Sequence, residues 1–202
     1  EKLYIEVRCF SGNDSSIAVI RGSHTRFSYI GKNGEELLRN DTKGAEEKVE
    51  EVPLTFRKVY EFAADSPIDE LEFILEAAKM NREASLQSQK QKYGHDVAKS
   101  LMGERGRAIF GENIHSRMIS ATAGACDARM DGALIPVMSN SGSGIQGVAA
   151  TLPVLTYAED VGSDRESLIR ALILSNLTVI HIKQYLGRLS ALCGCVVASA
   201  GS

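Results

Sequence analysis

The first forty residues carry short apolar runs set among polar positions. Residues 2–7 (KLYIEV), 17–20 (IAVI) and 26–30 (RFSYI) are rich in β-branched and aromatic types, the pattern of strands. Asn33-Gly34 stands between YIGK and EELL, and this dipeptide suits the two positive φ angles of a hairpin turn. An antiparallel sheet of three to four strands over residues 1–40 is expected. Residues 41–53 (DTKGAEEKVEEVP) are charged and nearly free of apolar anchors, which makes them a surface linker and the best domain boundary in the chain.

After Pro53 the period becomes 3.6. Phe56, Val59, Tyr60 and Ala63 recur at helical spacing. Ser66-Pro67 then reads as a helix start, Ser as N-cap and Pro in the first turn. Ile68, Leu71, Phe73, Ile74, Leu75 and Ala78 give this helix an apolar face, and it is expected to run on through NREASLQSQKQK to Gly94. Further helices are expected over 95–102, 107–131 and 144–160. Another starts from an Asp164 cap, with Leu168, Leu172, Leu174, Ile180 and Ile182 as its apolar positions, and a last one begins near Arg188. No internal repeat is found. The fold class is therefore α+β: a small antiparallel sheet followed by a mostly helical domain. The domains are 1–52, incomplete at its N-terminus, and 53–202, incomplete at its C-terminus.

Composition narrows the function classes. The 202 residues are 44% hydrophobic and 24% charged, enough apolar content for a core. A net charge of −3 argues against nucleic acid as the main partner. No run approaches the roughly 18 apolar residues of a membrane span, so no membrane partner is expected. Cys9, Cys126, Cys193 and Cys195 are too sparse for a disulfide scaffold, which points to a reducing, cytoplasmic compartment. The chain opens in a strand-like run and stops at SAGS inside an apolar segment, so it reads as a piece of a longer protein.

The densest candidate chemistry is MSNSGSGIQG, residues 138–147. If Gly144 to Gln146 begin a helix, their free N–H groups and the helix dipole favour an anion, and Ser139, Asn140, Ser141 and Ser143 add neutral donors. No P-loop lysine is present, and no βαβ unit surrounds the loop. A phosphate, a carboxylate or a plain interhelical turn all stay open on local grounds. Cys193-Gly194-Cys195 lacks the CxxC spacing, and cysteines two apart do not share a helix face, so buried small hydrophobes are favoured. Asp127 and Arg129 diverge on a helix, so each needs another partner. A structural ion pair competes with a substrate contact there. Each of the four histidines defaults to a surface or satisfied core role, and His24, before Thr25 at a strand start, suits an exposed donor.

Three stretches together resemble a known family. Asp127-Ala-Arg-Met, VMSNSGSGIQGVAATLPV and RLSALCGC are similar to the L-cysteine desulfidases, which are grouped with the alpha chain of iron–sulfur L-serine dehydratase. GSHT and LEFILEAAKMN extend the likeness over most of the chain. The resemblance implies a lyase with an oxygen-sensitive 4Fe–4S cluster, one of whose irons acts as a Lewis acid on the leaving group while a base removes the α-proton. L-cysteine would give pyruvate, ammonia and sulfide, and L-serine pyruvate and ammonia. Cys193 matches the first cluster ligand. Ser139, Asn140, Ser141, Gly142, Ser143 and Gln146 match the loop expected to take the substrate carboxylate, with Asp127, Arg129 and His24 as supporting residues. Ile145 and Arg26 stand where the family is expected to carry Asn. The family's other ligand cysteines, and its Gly-Cys-Thr-Glu-Pro segment, have no match here. This chain alone is therefore expected to bind no cluster and to be inactive. The partner is a small amino-acid substrate, and a homodimer is one assembly open to it. The competing reading is a non-catalytic anion-binding module that keeps the loop.

Overall fold

The computed structural model describes residues 4–22, 26–40, 52–187 and 192–202. The chain divides into two compact units, 1–52 and 53–202. The first is a four-stranded antiparallel meander of β1 (Tyr4–Ser11), β2 (Asp14–Arg21), β3 (Phe27–Lys32) and β4 (Glu35–Arg39), paired in chain order. The strands outrun the apolar runs that signal them, because the ladder continues through polar pairs such as Cys9 with Ser16 and Ser11 with Asp14. The β3–β4 turn has Asn33 and Gly34 at φ 52° and 82°, as the dipeptide requires. Asn33 also fixes the neighbouring hairpin. Its Nδ2 donates to Asp14 Oδ1 at 2.7 Å, and its Oδ1 accepts the Ser15 N–H at 2.7 Å. His24 and residues 41–51 of the expected linker lie outside the described residues.

The second unit is helical: α1 (Phe56–Asp65), α2 (Ile68–Leu71), α3 (Ile74–Lys90), α4 (Val97–Met102), α5 (Glu104–Phe110), α6 (Ile114–Met130), α7 (Gly144–Val161), α8 (Arg165–Leu186) and α9 (Gly194–Ser199). Three expectations need correction. Ser66 closes α1, its N–H bonding to the Phe62 carbonyl, and it caps no helix after it. The helix that follows is two helices. Tighter turns from Glu72 and Phe73 separate α2 from α3, leaving Phe73 67% exposed while Leu71 and Ile74 are buried. The 107–131 helix is also two helices, with Gly111 at φ 73° and a capping box in which Asn113 and Ser116 exchange side-chain and backbone bonds. The expected start near Arg188 lies outside the described residues, and the described helix there begins at Gly194. Asp164 does cap α8, accepting the Ser167 N–H at 2.9 Å.

Helix α7 runs through the core. Val148, Leu152 and Leu155 share one buried cluster with Leu71 of α2, Ala77, Ala78 and Ala84 of α3, Ala125 of α6, and Ile169 and Leu172 of α8. Each fully buried Leu or Ile contributes about 1.5–3 kcal/mol relative to exposure. Small residues let the helices close up: a Cβ on Gly124 of α6 would lie 2.3 Å from Ser88 Oγ of α3. On another side of α7, Ala149 and Ala150 pack with Val179 of α8 and with Val197 and Ala198 of α9. That second cluster seats the short α9 beside the start of α7. No helix among the described residues is long and apolar enough to cross a membrane.

Candidate active site

The stretch 138–147 folds as a tight turn feeding α7. Asn140 and Ser143 exchange backbone bonds of 3.1 and 3.0 Å, and the two residues between them, Ser141 and Gly142, take φ 49° and 82°. Ser143 then caps α7, its Oγ accepting the Gln146 N–H at 3.3 Å. The N–H groups of Gly144 and Ile145 have no partner among the described residues. They are first-turn donors with the helix dipole behind them, which is the physical basis of an anion site.

Two of the loop's polar side chains hold the loop itself. Asn140 is 5% exposed. Its Nδ2 donates to the carbonyl and to the Oδ1 of Asn176, at 3.0 and 2.9 Å, and its Oδ1 accepts from Ser141 Oγ at 2.8 Å and Gln146 Nε2 at 3.2 Å. That uses the full capacity of the amide. Gln146, 1% exposed, faces inward. Ser139, Ser141, Gly142 and Ser143 are left at the surface of the turn, partly or fully open.

Three supports were not singled out from the sequence. Asn81, 0% exposed on α3, accepts the Met138 N–H on Oδ1 at 2.9 Å and donates Nδ2 to the Met138 carbonyl at 3.5 Å. Asn176 of α8 anchors Asn140 and is itself fixed by donation to the Leu172 carbonyl. Gly147 lies so close to the chain entering the loop that a Cβ there would sit 2.0 Å from the Met138 carbonyl oxygen. Asn81 ends the quoted stretch LEFILEAAKMN and Gly147 ends MSNSGSGIQG; the signal was present, but not the partner each one meets.

The cysteines differ in exposure. Cys193 precedes α9 and is exposed; Cys195 lies in its first turn and is half-buried. Cys126, on α6, is partly buried. Burial pushes the Cys126 thiol up to about 12, with its thiol neighbours and Asp127 adding to the shift. Burial also raises Cys195. The Cys195 N–H and thiol lower Cys193, favouring its thiolate. Cys193 is thus no buried hydrophobe, because it stands outside the helix as its N-cap. Gly194 packs against the loop, the position of a Cβ there being 3.2 Å from both Ser143 Oγ and Gln146 Oε1. This seats Cys193 next to the start of α7. Among the described residues, no group of three or more His, Cys, Asp or Glu side chains is arranged to hold a metal ion.

Asp127 and Arg129 part company. Asp127 Oδ2 accepts the N–H groups of Val97 and Ala98 at 2.7 and 3.4 Å, capping α4 from a neighbouring helix. The expected ion pair is therefore a helix cap. Asp127→Ala is expected to cost about 1–2 kcal/mol in urea unfolding and Asp127→Asn less, because the amide oxygen still accepts. Unchanged stability in Asp127→Ala would remove this role. Arg129 is exposed, and its side chain has no ion pair among the described residues. Its Nε lies 3.5 Å from where a Cβ on Gly144 would stand, beside the first turn of α7. His24 lies outside the described residues. A groove of about 380 Å³ between α3, α6 and α7, crossed by the Arg82–Glu159 and Arg117–Asp160 ion pairs, shares no residue with this loop.

Comparison with known proteins agrees with this grouping. The chain is 57% identical over its full length to a UPF0597 protein of Bacteroides fragilis, covering 47% of that protein. It is 54% identical, again over its full length, to a UPF0597 protein of Parabacteroides distasonis, covering 48% of it. A UPF0597 protein of Shewanella halifaxensis is 40% identical over 99% of this chain, which covers 47% of that relative. The chain thus spans about half the length of the curated relatives it matches. No solved structure matches. The pattern of the serine dehydratase alpha chain matches residues 32–202, from the third strand through the loop and the cysteines, and the chain belongs to that family.

Proposed function

We propose that this chain carries the substrate-carboxylate site of a lyase that eliminates the β-substituent of L-cysteine or L-serine to give pyruvate and ammonia, with sulfide released from cysteine. The observation that carries the reading is the packing of Gly194 on Ser143 and Gln146, which sets a thiolate-prone cysteine beside an anion-binding helix start. The N–H groups of Gly144 and Ile145 take the carboxylate, and Ser139, Ser141 and Ser143 line it. Arg129 supplies the countercharge. Asn140 and Gln146 keep the turn rigid, so that its donors need no reordering when the anion arrives.

The 4Fe–4S cluster of the proposed full-length enzyme does not fit within this chain alone. A cubane takes three or four thiolates, and the described residues offer no set of metal-holding geometry. Cys193 fits as a single ligand, exposed and with its thiolate favoured. The remaining ligands belong to parts of the enzyme outside the described residues, in a reducing, cytoplasmic setting.

The test uses full-length protein purified without oxygen, with pyruvate release from each amino acid as the readout. Arg129→Ala is expected to raise KM about 10- to 100-fold with kcat nearly kept, because a charge-assisted contact is worth about 1.5–3 kcal/mol. An unchanged KM would remove Arg129 from the site. Carboxylate binding without pyruvate from either substrate would leave an anion-binding module in place of the lyase.

A further inference from the structure

The groove of about 380 Å³ between α3, α6 and α7 has no part in the substrate loop. Its lining is mostly apolar: Leu86 of α3, Met102 of α4, Ala121 of α6, and Leu152 and Leu155 of α7. Ser85 and Gln89 of α3 and Thr156 of α7 interrupt that lining, and their side chains bond to no group among the described residues. Ser85 is only 7% exposed. Hydroxyls near it are committed. Ser88 Oγ donates to the Ser85 carbonyl at 2.6 Å, Ser120 Oγ to the Ala98 carbonyl at 3.2 Å, and Thr122 Oγ1 to the Met118 carbonyl at 2.8 Å. A hydroxyl on a helix can turn back to the carbonyl one turn earlier, as that of Thr122 does. The Ser85 hydroxyl makes no such bond, and the opening left to it is the groove. A buried polar group without a partner is costly, so one that a fold retains calls for a ligand.

Charge decides which ligand. Arg82 pairs with Glu159, and Arg117 pairs with Asp160, its Nε donating to Oδ1 at 2.8 Å. The Arg82 and Glu159 side chains both line the groove and stay 46% and 43% exposed, which leaves each room for another contact. These four charges sum to zero. An ion of one sign that gains from Arg82 loses to Glu159 beside it, and an uncharged molecule gains from neither. A zwitterion gains at both, because its charges alternate with those of the pair. The volume and the apolar lining ask for a carbon side chain as well.

We propose that this groove is a second ligand site, which takes a zwitterionic α-amino acid with an aliphatic side chain. Arg82, and Ser85 one turn along α3, donate to its carboxylate. Glu159, and Thr156 one turn earlier on α7, accept from its ammonium. Its side chain lies on Leu86, Met102, Leu152 and Leu155. The inference goes beyond the lyase reading and does not rest on it, since the groove and the substrate loop share no residue.

The experiment labels the methionine methyl groups of the chain with carbon-13 and follows them by NMR as L-leucine is added. Met102 reports on the groove and Met138 on the substrate loop; Met102→Leu and Met138→Leu assign the two signals by removing them. The expected result is a saturable shift of the Met102 signal with Kd at or below about 1 mM, kept in Arg129→Ala. Three analogues bind at least about tenfold more weakly: 4-methylpentanoate lacks the ammonium, 3-methylbutylamine the carboxylate, and L-alanine the long side chain. Glu159→Gln erases the advantage of leucine over 4-methylpentanoate, because it leaves the Arg82 charge open to an anion. Ser85→Ala weakens leucine about 2- to 10-fold while the melting temperature stays at or above that of the parent, since the hydroxyl bonds to nothing within the fold. A lower melting temperature with leucine binding unchanged would make Ser85 a packing residue and overturn its role. Equal binding of the acid or the amine, or a shift confined to Met138, would overturn the site. So would a Met102 signal unmoved by leucine up to about 50 mM, which would leave the groove to a protein segment. The titration of the unmutated chain decides this whether or not a variant folds. It measures no turnover, so its failure would leave the lyase reading untouched, and a chain without lyase activity would leave the groove in place.

Discussion

Gly147→Ala is expected to cost the helical unit about 3–5 kcal/mol, a large share of the roughly 5–15 kcal/mol that holds a domain folded. The added methyl has nowhere to go. It would stand 2.0 Å from the Met138 carbonyl oxygen and 2.9 Å from the carbonyl carbons of Met138 and Ser139, all backbone atoms. Met138 cannot retreat cheaply, because Asn81 grips both its N–H and its carbonyl from a position with no solvent exposure. Moving Met138 would strip a buried amide of both partners, a penalty of about 1–3 kcal/mol for each unsatisfied group. Gly194→Ala makes the contrast. Its methyl would meet Ser143 Oγ and Gln146 Oε1 at 3.2 Å, side-chain atoms that can give a few tenths of an ångström. Urea unfolding followed by circular dichroism separates the two. A Gly147→Ala chain within about 1 kcal/mol of the parent would disprove the close approach.

The same contrast marks what the sequence could tell. The Asn33-Gly34 hairpin, the Asp164 cap and the start of α7 at Gly144 are local facts, set by dihedral preference and by donors within a few residues. The helix breaks at Glu72 and Gly111 were missed because apolar spacing continues across them; Phe73 keeps the period and still points to solvent. At the site, the Ser/Gly turn at a helix start was legible, yet the division of labour inside it was not. Asn140 reads like Ser141 in a string of small polar residues. It is the long-range partner Asn176 that fixes Asn140 inside the turn, and nothing local announces that pair. Asp127 is the same case, because its partners are N–H groups some thirty residues upstream. The cysteines show the limit most clearly. Helical geometry argues against joint action by residues two apart, but it assumes that both lie on the helix, and Cys193 does not.

In the full-length protein, Cys193→Ala is expected to take cluster iron to background and to lower pyruvate formation by more than about a hundredfold. The residue is singled out by position as much as by chemistry. Cys126 and Cys195 are both partly buried, whereas Cys193 stands exposed at the start of α9. Iron is held by the thiolate, and of the three Cys193 is the exposed one and the one whose thiolate is favoured. Ser141→Ala is the paired measurement. It touches the turn and not the thiols, so iron content should stay at the parent level while KM rises. Iron is read by a colorimetric assay and by thiolate-to-iron absorbance, turnover by pyruvate release, all on protein kept from oxygen. Parent-level iron in Cys193→Ala would end the ligand assignment. Iron lost in Ser141→Ala would show that loop and cluster ligand cannot be separated, because the packing of Gly194 on Ser143 and Gln146 would then be holding the thiolate in place.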